Sequence, residues 1–306
     1  MLRALGQDAR GTLASVGSSV AFGGIYFLTP LLHPAPADTV WAARNLITIP
    51  IIMLALVMAR QWYLVTGVLS LVRRKPIVAL GILACGLMIS AQLWVFTWAP
   101  LNGRGLQVAL GYFLLPLVLV VAGKFLYRDR LAWWQWTAAT VAAAGVVFEV
   151  VRVGGISWET LLVACGYPIY FVLRRSLGTG HLGGMLWEFI IVIPLAVFVL
   201  GLELTSGTAL EANPSLSWSI PLYAVCAGGA LVLYIVASRL LTLSVFGLLS
   251  YLEPALLMVA ALLIGEQIIG LEWGIYVAVW VAVFIILGGG ITRLVRAQKS
   301  RVGFSS

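Results

Sequence analysis

The feature that most constrains this chain is the repeated length of its apolar runs. Each extends for about 20 residues, which a helix rising 1.5 Å per residue needs to cross a hydrocarbon core, and short loops holding most of the charges separate them. Barrel strands would be about half as long and would alternate apolar with polar residues, which these runs do not. With 62% hydrophobic and 10% charged residues among 306, and a mean hydropathy of +1.05, there is too little polar surface to clothe a soluble fold. The sequence predicts an all-α integral membrane protein with the lipid bilayer as its surroundings.

Hydropathy predicts ten spans: Thr12–Leu32, Thr39–Ala59, Pro76–Trp98, Gly105–Phe125, Leu131–Val151, Trp158–Leu173, Leu182–Leu202, Trp218–Ala237, Ser244–Ile264 and Leu271–Leu294. Arg3 and Arg10 precede an apolar run that ends near Ala35-Pro36-Ala37, a cleavage-like pattern. That run is too long for a signal peptide, contains Gly23-Gly24 and Tyr26, and is expected to be span 1. The stretch Trp62–Val72 is apolar but too short to span, so it is expected to extend span 2 or lie in the interface.

The net charge of +8 is distributed as topology signals, so no nucleic-acid partner is expected. Arg60, Arg73-Arg74-Lys75, Lys124, Arg128, Arg130, Arg174-Arg175 and the C-terminal cations all fall on one side if both termini are cytoplasmic. Arg104 and Arg152 are then left in outer loops beside Asp38, Glu203, Glu211 and Glu272. The expected location is the cell inner membrane. Trp41, Trp133, Trp134, Trp136, Trp158, Trp218 and Trp273 lie near span ends, where indole suits the headgroup region. Cys85, Cys165 and Cys226 lack metal-ligand spacing and read as small apolar residues.

The chain also reads as duplicated. Gly24-Ile25-Tyr26-Phe27 corresponds to Pro168-Ile169-Tyr170-Phe171 at an offset of 144, and Arg44 through Pro50 corresponds to Glu188 through Pro194 at the same offset. Ala109–Gly145 and Phe246–Phe284 each hold a tyrosine before a proline, an acidic residue closing the first run, and a second run. Residues 1–152 and 153–306 are therefore expected as two five-helix repeats, and an odd number of helices inverts the second copy. Inverted repeats in transporters place substrate near the midplane between the halves; duplication can also simply build a stable bundle.

Enzyme chemistry finds no support in the residues present. His33 and His181 fall in loops on opposite sides, and HExxH, G-x-S-x-G and a phosphate loop are all missing. No cofactor, metal or obligatory protein partner is expected; the partner is a small-molecule substrate. Ionisable residues at membrane depth are the first candidates for function. Arg44 and Glu188 each lie about 8 Å into their spans from opposite surfaces, where each could snorkel, fix a helix, gate or touch substrate. Glu253 is expected about 14 Å into span 9, where it could receive a substrate ammonium, carry a coupling proton, or bond structurally to amides or a tyrosine. Pro116, Pro168 and Pro254 are expected as mid-helix kinks, each with a tyrosine nearby: Tyr112, Tyr167 and Tyr251. Tyr112 shares a face with Pro116, and Tyr251 with Gly247. Gly23, Gly24, Tyr26 and Gln92 complete the candidate substrate lining; Trp98 is a belt or outer-gate candidate.

On Gln92-Leu93-Trp94-Val95-Phe96-Thr97-Trp98-Ala99, Ala109-Leu110-Gly111-Tyr112-Phe113 with Pro116, and Leu252-Glu253-Pro254 with Gly265-Glu266, the whole chain resembles the drug/metabolite transporter superfamily in its ten-helix EamA form. The first of these regions is similar to the RarD type. The resemblance implies two inverted halves around a central cavity, cytoplasmic termini and export of small metabolites, with YddG-type amino acid exporters as the expected relatives. The chain departs from the family at Tyr127-Arg128-Asp129-Arg130, where Leu-Gly-Glu-Arg is usual, and at Gln92, where the family has asparagine. The expected function is export of broad, neutral or aromatic amino acids, or similar metabolites, by alternating access. The alternatives are a proton-coupled multidrug exporter and, in another class, a channel or a non-transporting scaffold.

Overall fold

The computed structural model describes residues 2–127, 133–206, 208–241, 246 and 249–302. Among these the regular structure is entirely helical. The α-helices are α1 (Leu2–Leu28), α2 (Ala37–Met58), α3 (Tyr63–Arg74), α4 (Ile77–Leu101), α5 (Gly105–Tyr127), α6 (Trp133–Val153), α7 (Trp158–Leu177), α8 (Leu182–Ile191), α9 (Ile193–Ser206), α10 (Thr208–Ala212), α11 (Leu216–Leu240), α12 (Leu252–Ile264) and α13 (Trp273–Val302). Among the described residues five helices are long and apolar enough to cross a bilayer, six when the bent pair α8–α9 is taken as one span. Large apolar side chains such as Leu54, Met58, Val151, Phe198 and Leu263 are exposed on the helix flanks. In water such a surface would drive aggregation, whereas in hydrocarbon it is the solvated face. The protein is a multi-pass membrane protein.

The helices pack in a definite set of pairs. α1 lies against α11 and α12; α7 against α4 and α5; α2 against α8, α9 and α11; α4 also against α8; α5 against α12; α6 against α13. Lipid supplies no hydrophobic drive between helices, so close approach is bought by small residues. A Cβ on Gly111 of α5 would sit 2.7 Å from the Val163 Cβ of α7, and one on Gly145 of α6 would sit 2.5 Å from the Ala278 Cβ of α13. Ends are set locally. Ser157 accepts a hydrogen bond from the Thr160 amide at the start of α7, and Gly178 at φ 72 closes it in the left-handed region.

Three local expectations change. Span 7 is not one straight helix: α8 and α9 meet at Val192 with a bend of 47°. Pro194, the second residue of α9, cannot donate to the Ile190 carbonyl and its ring crowds that oxygen. Of the two expectations for the apolar stretch after Arg60, extension of α2 is the one that fails. Arg60 takes a φ of 52 and α3 follows as a separate amphipathic helix with Val65 and Val68 buried. Span 9 is broken: Phe246 and Leu249 are helical, Ser250 and Tyr251 form a turn, and α12 starts at Leu252 with Tyr251 as N-cap. Pro254 lies in the first turn of α12, where it has no N–H for the Ser250 carbonyl, so the turn falls at the place where this proline interrupts the span. Glu253 likewise lies in the first turn. Residues 242–245 and 247–248, and with them Gly247, lie outside the described residues, as do 128–132, which carry Arg128, Asp129 and Arg130.

Candidate functional site

Phe96 of α4 is the hub of a buried polar and aromatic cluster. It is 2% exposed and makes edge-on contacts with Phe22 at 6.0 Å, Tyr26 at 5.0 Å and Tyr112 at 6.1 Å between ring centroids. The Arg44 guanidinium, from α2, lies over the Phe96 ring at 5.4 Å. On the far side of Tyr112, its hydroxyl is 3.1 Å from that of Tyr167 on α7. Arg44 is within electrostatic range of Tyr112, Tyr167 and Glu253, and Tyr234 of α11 is within range of Tyr167 and Glu253. Residues from α2, α4, α5, α7, α11 and α12 thus share one neighbourhood. Phe96 is four residues after Gln92, on the same helix face, which was the signal available for it; Tyr234 had none.

The energetics of Arg44 stand apart. It is 3% exposed, and its Nη1 has no hydrogen-bond partner. Removing a guanidinium from water costs several kcal/mol even after relaxation, and a desolvated cation–π contact returns about 2 kcal/mol. Trp41 Nε1 and Asn45 Oδ1, three residues before it and one after on α2, are also buried without partners. Glu188, its counterpart by sequence offset, has a close neighbour at each carboxylate oxygen, the one at Oε1 being an ion pair outside hydrogen-bond geometry. It accepts from Tyr170 Oη at 2.7 Å and pairs with Arg174 Nε at 2.8 Å, while Arg174 Nη2 donates to the carbonyls of Thr179 at 3.2 Å and His181 at 3.0 Å. Glu188 therefore fixes α8 to α7, a partner that spacing along the chain could not reveal.

The other expected residues divide between the cluster and the packing around it. Tyr112, Tyr167, Glu253 and Arg44 come together, and Glu253 is 9% exposed. Tyr26 is fully buried, and its hydroxyl donates to the Gly105 carbonyl at 2.9 Å, tethering α1 to the start of α5. Gln92 Nε2 donates to the Leu162 carbonyl at 2.7 Å and rests on Gly166, where any side chain would collide with it. Its Oε1 is left without a partner. Gly23 packs on Leu256, and Gly24 is exposed with nothing near it. Tyr251 is buried with its hydroxyl unpartnered. Pro168 is buried inside α7, and Pro116 lies within the continuous α5. Trp98 stacks on Trp94 at 5.6 Å and meets Trp158 at 5.3 Å.

A second polar layer ties loops together. Glu266 accepts hydrogen bonds from the Gly105 amide at 2.6 Å and the Leu106 amide at 2.8 Å, capping the N-terminus of α5 with a carboxylate from beyond α12. Burial pushes the Glu266 carboxyl above its ordinary range, against the pull of those amides and Arg104. Arg104 forms a two-point pair with Glu159, at 2.7 and 3.2 Å, which holds its guanidinium above the usual value. Arg152 bridges Glu149 at 2.7 Å and Glu272 at 3.6 Å. Glu159 as a partner was not expected. A groove of about 290 Å³ near α3, lined by Val68, Leu71, Arg74, Gly178 and His181, lies among other residues than the Phe96 cluster. Among the described residues no three His, Cys, Asp or Glu side chains are grouped to hold a metal ion.

No protein-family profile matches the chain. It is 35% identical over 299 residues to a Pseudomonas aeruginosa protein named chloramphenicol-sensitive protein RarD, covering 96% of this chain and 98% of that one. It is 32% identical to an uncharacterized transporter of Pasteurella multocida, covering 95% and 99% of the two chains. An uncharacterized transporter of Haemophilus influenzae is 31% identical, with 93% and 95% covered.

Proposed function

This chain belongs to the RarD-type family of membrane transporters, and we propose that it exports amino acids, broad or neutral and aromatic in range, or closely similar small metabolites. The observation that carries this reading is the buried Arg44 lying over Phe96, with Tyr112 against the same ring and its hydroxyl on that of Tyr167, and with the buried Glu253 within electrostatic range of Arg44. Ionisable groups at such depth are costly and usually serve a transported solute. A zwitterion would place its ammonium at Glu253 or the tyrosine hydroxyls.

The mechanism we propose is alternating access between two inverted five-helix halves, residues 1–152 and 153–306, together making ten spans with both termini cytoplasmic in the inner membrane. The packing supports the inverted repeat because its pairs exchange between halves. α1 with α11 becomes α7 with α4; α2 with α11 becomes α8 with α4; α5 with α7 becomes α12 with α1. The α5–α12 and α6–α13 pairs map onto themselves. α5 and α7 each supply one hydroxyl of the Tyr112–Tyr167 contact, one from each half, so rocking of the halves would remake the site.

A proton-coupled multidrug or metabolite exporter is the second reading, favoured by the name of the Pseudomonas relative, chloramphenicol-sensitive protein RarD. A channel or a non-transporting scaffold is the rival from another class. Purified protein in liposomes, assayed for efflux and counterflow over a panel of amino acids and over chloramphenicol, separates them. Saturable amino acid counterflow is the expected result. Flux of chloramphenicol alone would transfer the reading to drugs, non-saturating flux would indicate a channel, and no flux would sink transport altogether.

A further inference from the structure

We infer that Arg44 is the anion anchor of the transported molecule: a carboxylate subsite facing Glu253, which selects solutes bearing a single carboxylate. The inference rests on the transporter reading above and deepens it, since nothing in that reading assigned the solute's acidic end. Three observations carry it. The guanidinium is almost wholly buried and its Nη1 is unpartnered, although five N–H donors in a planar fork suit a carboxylate in two-point contact. The Phe96 ring that it overlies covers one face of that fork and accepts none of its hydrogen bonds in the plane.

Glu253 is the opposite charge within electrostatic range, yet among the described residues no ion pair within 4.0 Å joins it to Arg44. The two charges are close enough to influence one another and too far apart to neutralise one another directly. A zwitterion placed between them would give each an opposite charge. Among the described residues the other buried arginine, Arg174, is paired with Glu188, which leaves Arg44 as the positive charge opposite Glu253, and a dianion such as a phosphate ester would be undercompensated there. Trp41 Nε1 on the same helix offers a further unpartnered donor.

The test measures thermal stabilisation of the full chain in lipid nanodiscs by phenylalanine, phenylalaninamide, phenethylamine and 3-phenylpropionate. The two carboxylates should raise the melting temperature, and the amide and the amine should not. In Arg44→Gln the apparent affinity for phenylalanine should fall about 10- to 100-fold, the loss of a charge-assisted two-point contact, with Arg44→Lys intermediate. Glu253→Gln should keep 3-phenylpropionate binding. Equal stabilisation by the amine, or an Arg44→Gln protein that binds phenylalanine as the parent does, would overturn the inference. If Arg44→Gln fails to fold, the carboxylate, amide and amine comparison on the unmodified protein decides alone. If phenylalanine does not bind, the same comparison with lactate, succinate and benzoate decides. Stabilisation by lactate or benzoate, weakened in Arg44→Gln, without stabilisation by phenylalanine keeps the subsite and removes only amino acid export, whereas no stabilisation by any carboxylate removes the subsite.

Discussion

Two buried charges with equivalent places in the sequence have opposite fates, and that contrast drives the residue-scale predictions. Glu188 is held by Tyr170 and Arg174, so replacing it alone strands a buried guanidinium. Glu188→Leu is expected to destabilise by about 3–5 kcal/mol, while Arg174→Met with Glu188→Leu costs far less because no charge is left uncompensated. Chemical denaturation of the three proteins in detergent measures both, and equal losses would show that the pair contributes nothing specific. Glu253 has no such partner within ion-pair distance among the described residues. If it carries the coupling proton, Glu253→Gln abolishes flux driven by a pH gradient and leaves exchange intact. An unchanged pH dependence of flux would remove it from coupling.

At the scale of elements, the helix contacts are as tight as glycine allows. The α6–α13 approach leaves no room at Gly145, where even a Cβ meets Ala278. Gly145→Leu is expected to cost about 1–3 kcal/mol through overpacking, whereas Gly155→Ala, with no atom within 4 Å of its Cβ, should change stability by less than about 0.5 kcal/mol. Melting temperatures of the two variants in the same detergent provide the check. The α5 terminus is held from two other elements, by Glu266 and by Tyr26. Opening the bundle at that end would have to release a helix N-terminus from its carboxylate cap, which gives the proposed alternating access a specific contact to break.

For the whole molecule, the prediction concerns orientation. With Cys85, Cys165 and Cys226 replaced, Asn102→Cys should react with a membrane-impermeant maleimide added to intact cells, and Ser176→Cys only after permeabilisation; both positions are exposed. The reverse pattern would turn the protein over in the membrane, and labelling of both from one side would break the proposed ten-span topology. The exposed apolar flanks make the bilayer the medium for the entire bundle, so its polar groups matter in proportion to how few of them are left without partners.

The membrane setting and most helix positions were legible from the chain alone, because hydrocarbon obliges every spanning segment to satisfy its own backbone over a fixed thickness, and length and polarity record that directly. The break at Val192 was half legible: Pro194 was visible, but whether its helix bends or, like α2 around Pro50, runs on depends on neighbours. Pairing was not legible. Glu188 with Arg174, Glu266 with the start of α5, and Arg44 over Phe96 join residues whose separation in sequence obeys no period, since the contacts arise from how helices cross. That a handful of charges would lie within lipid follows from the order of residues along the chain; which of them are neutralised follows from how the helices cross, because a buried charge is satisfied by distance in space, and that crossing leaves Arg44 Nη1 without a hydrogen-bonding partner.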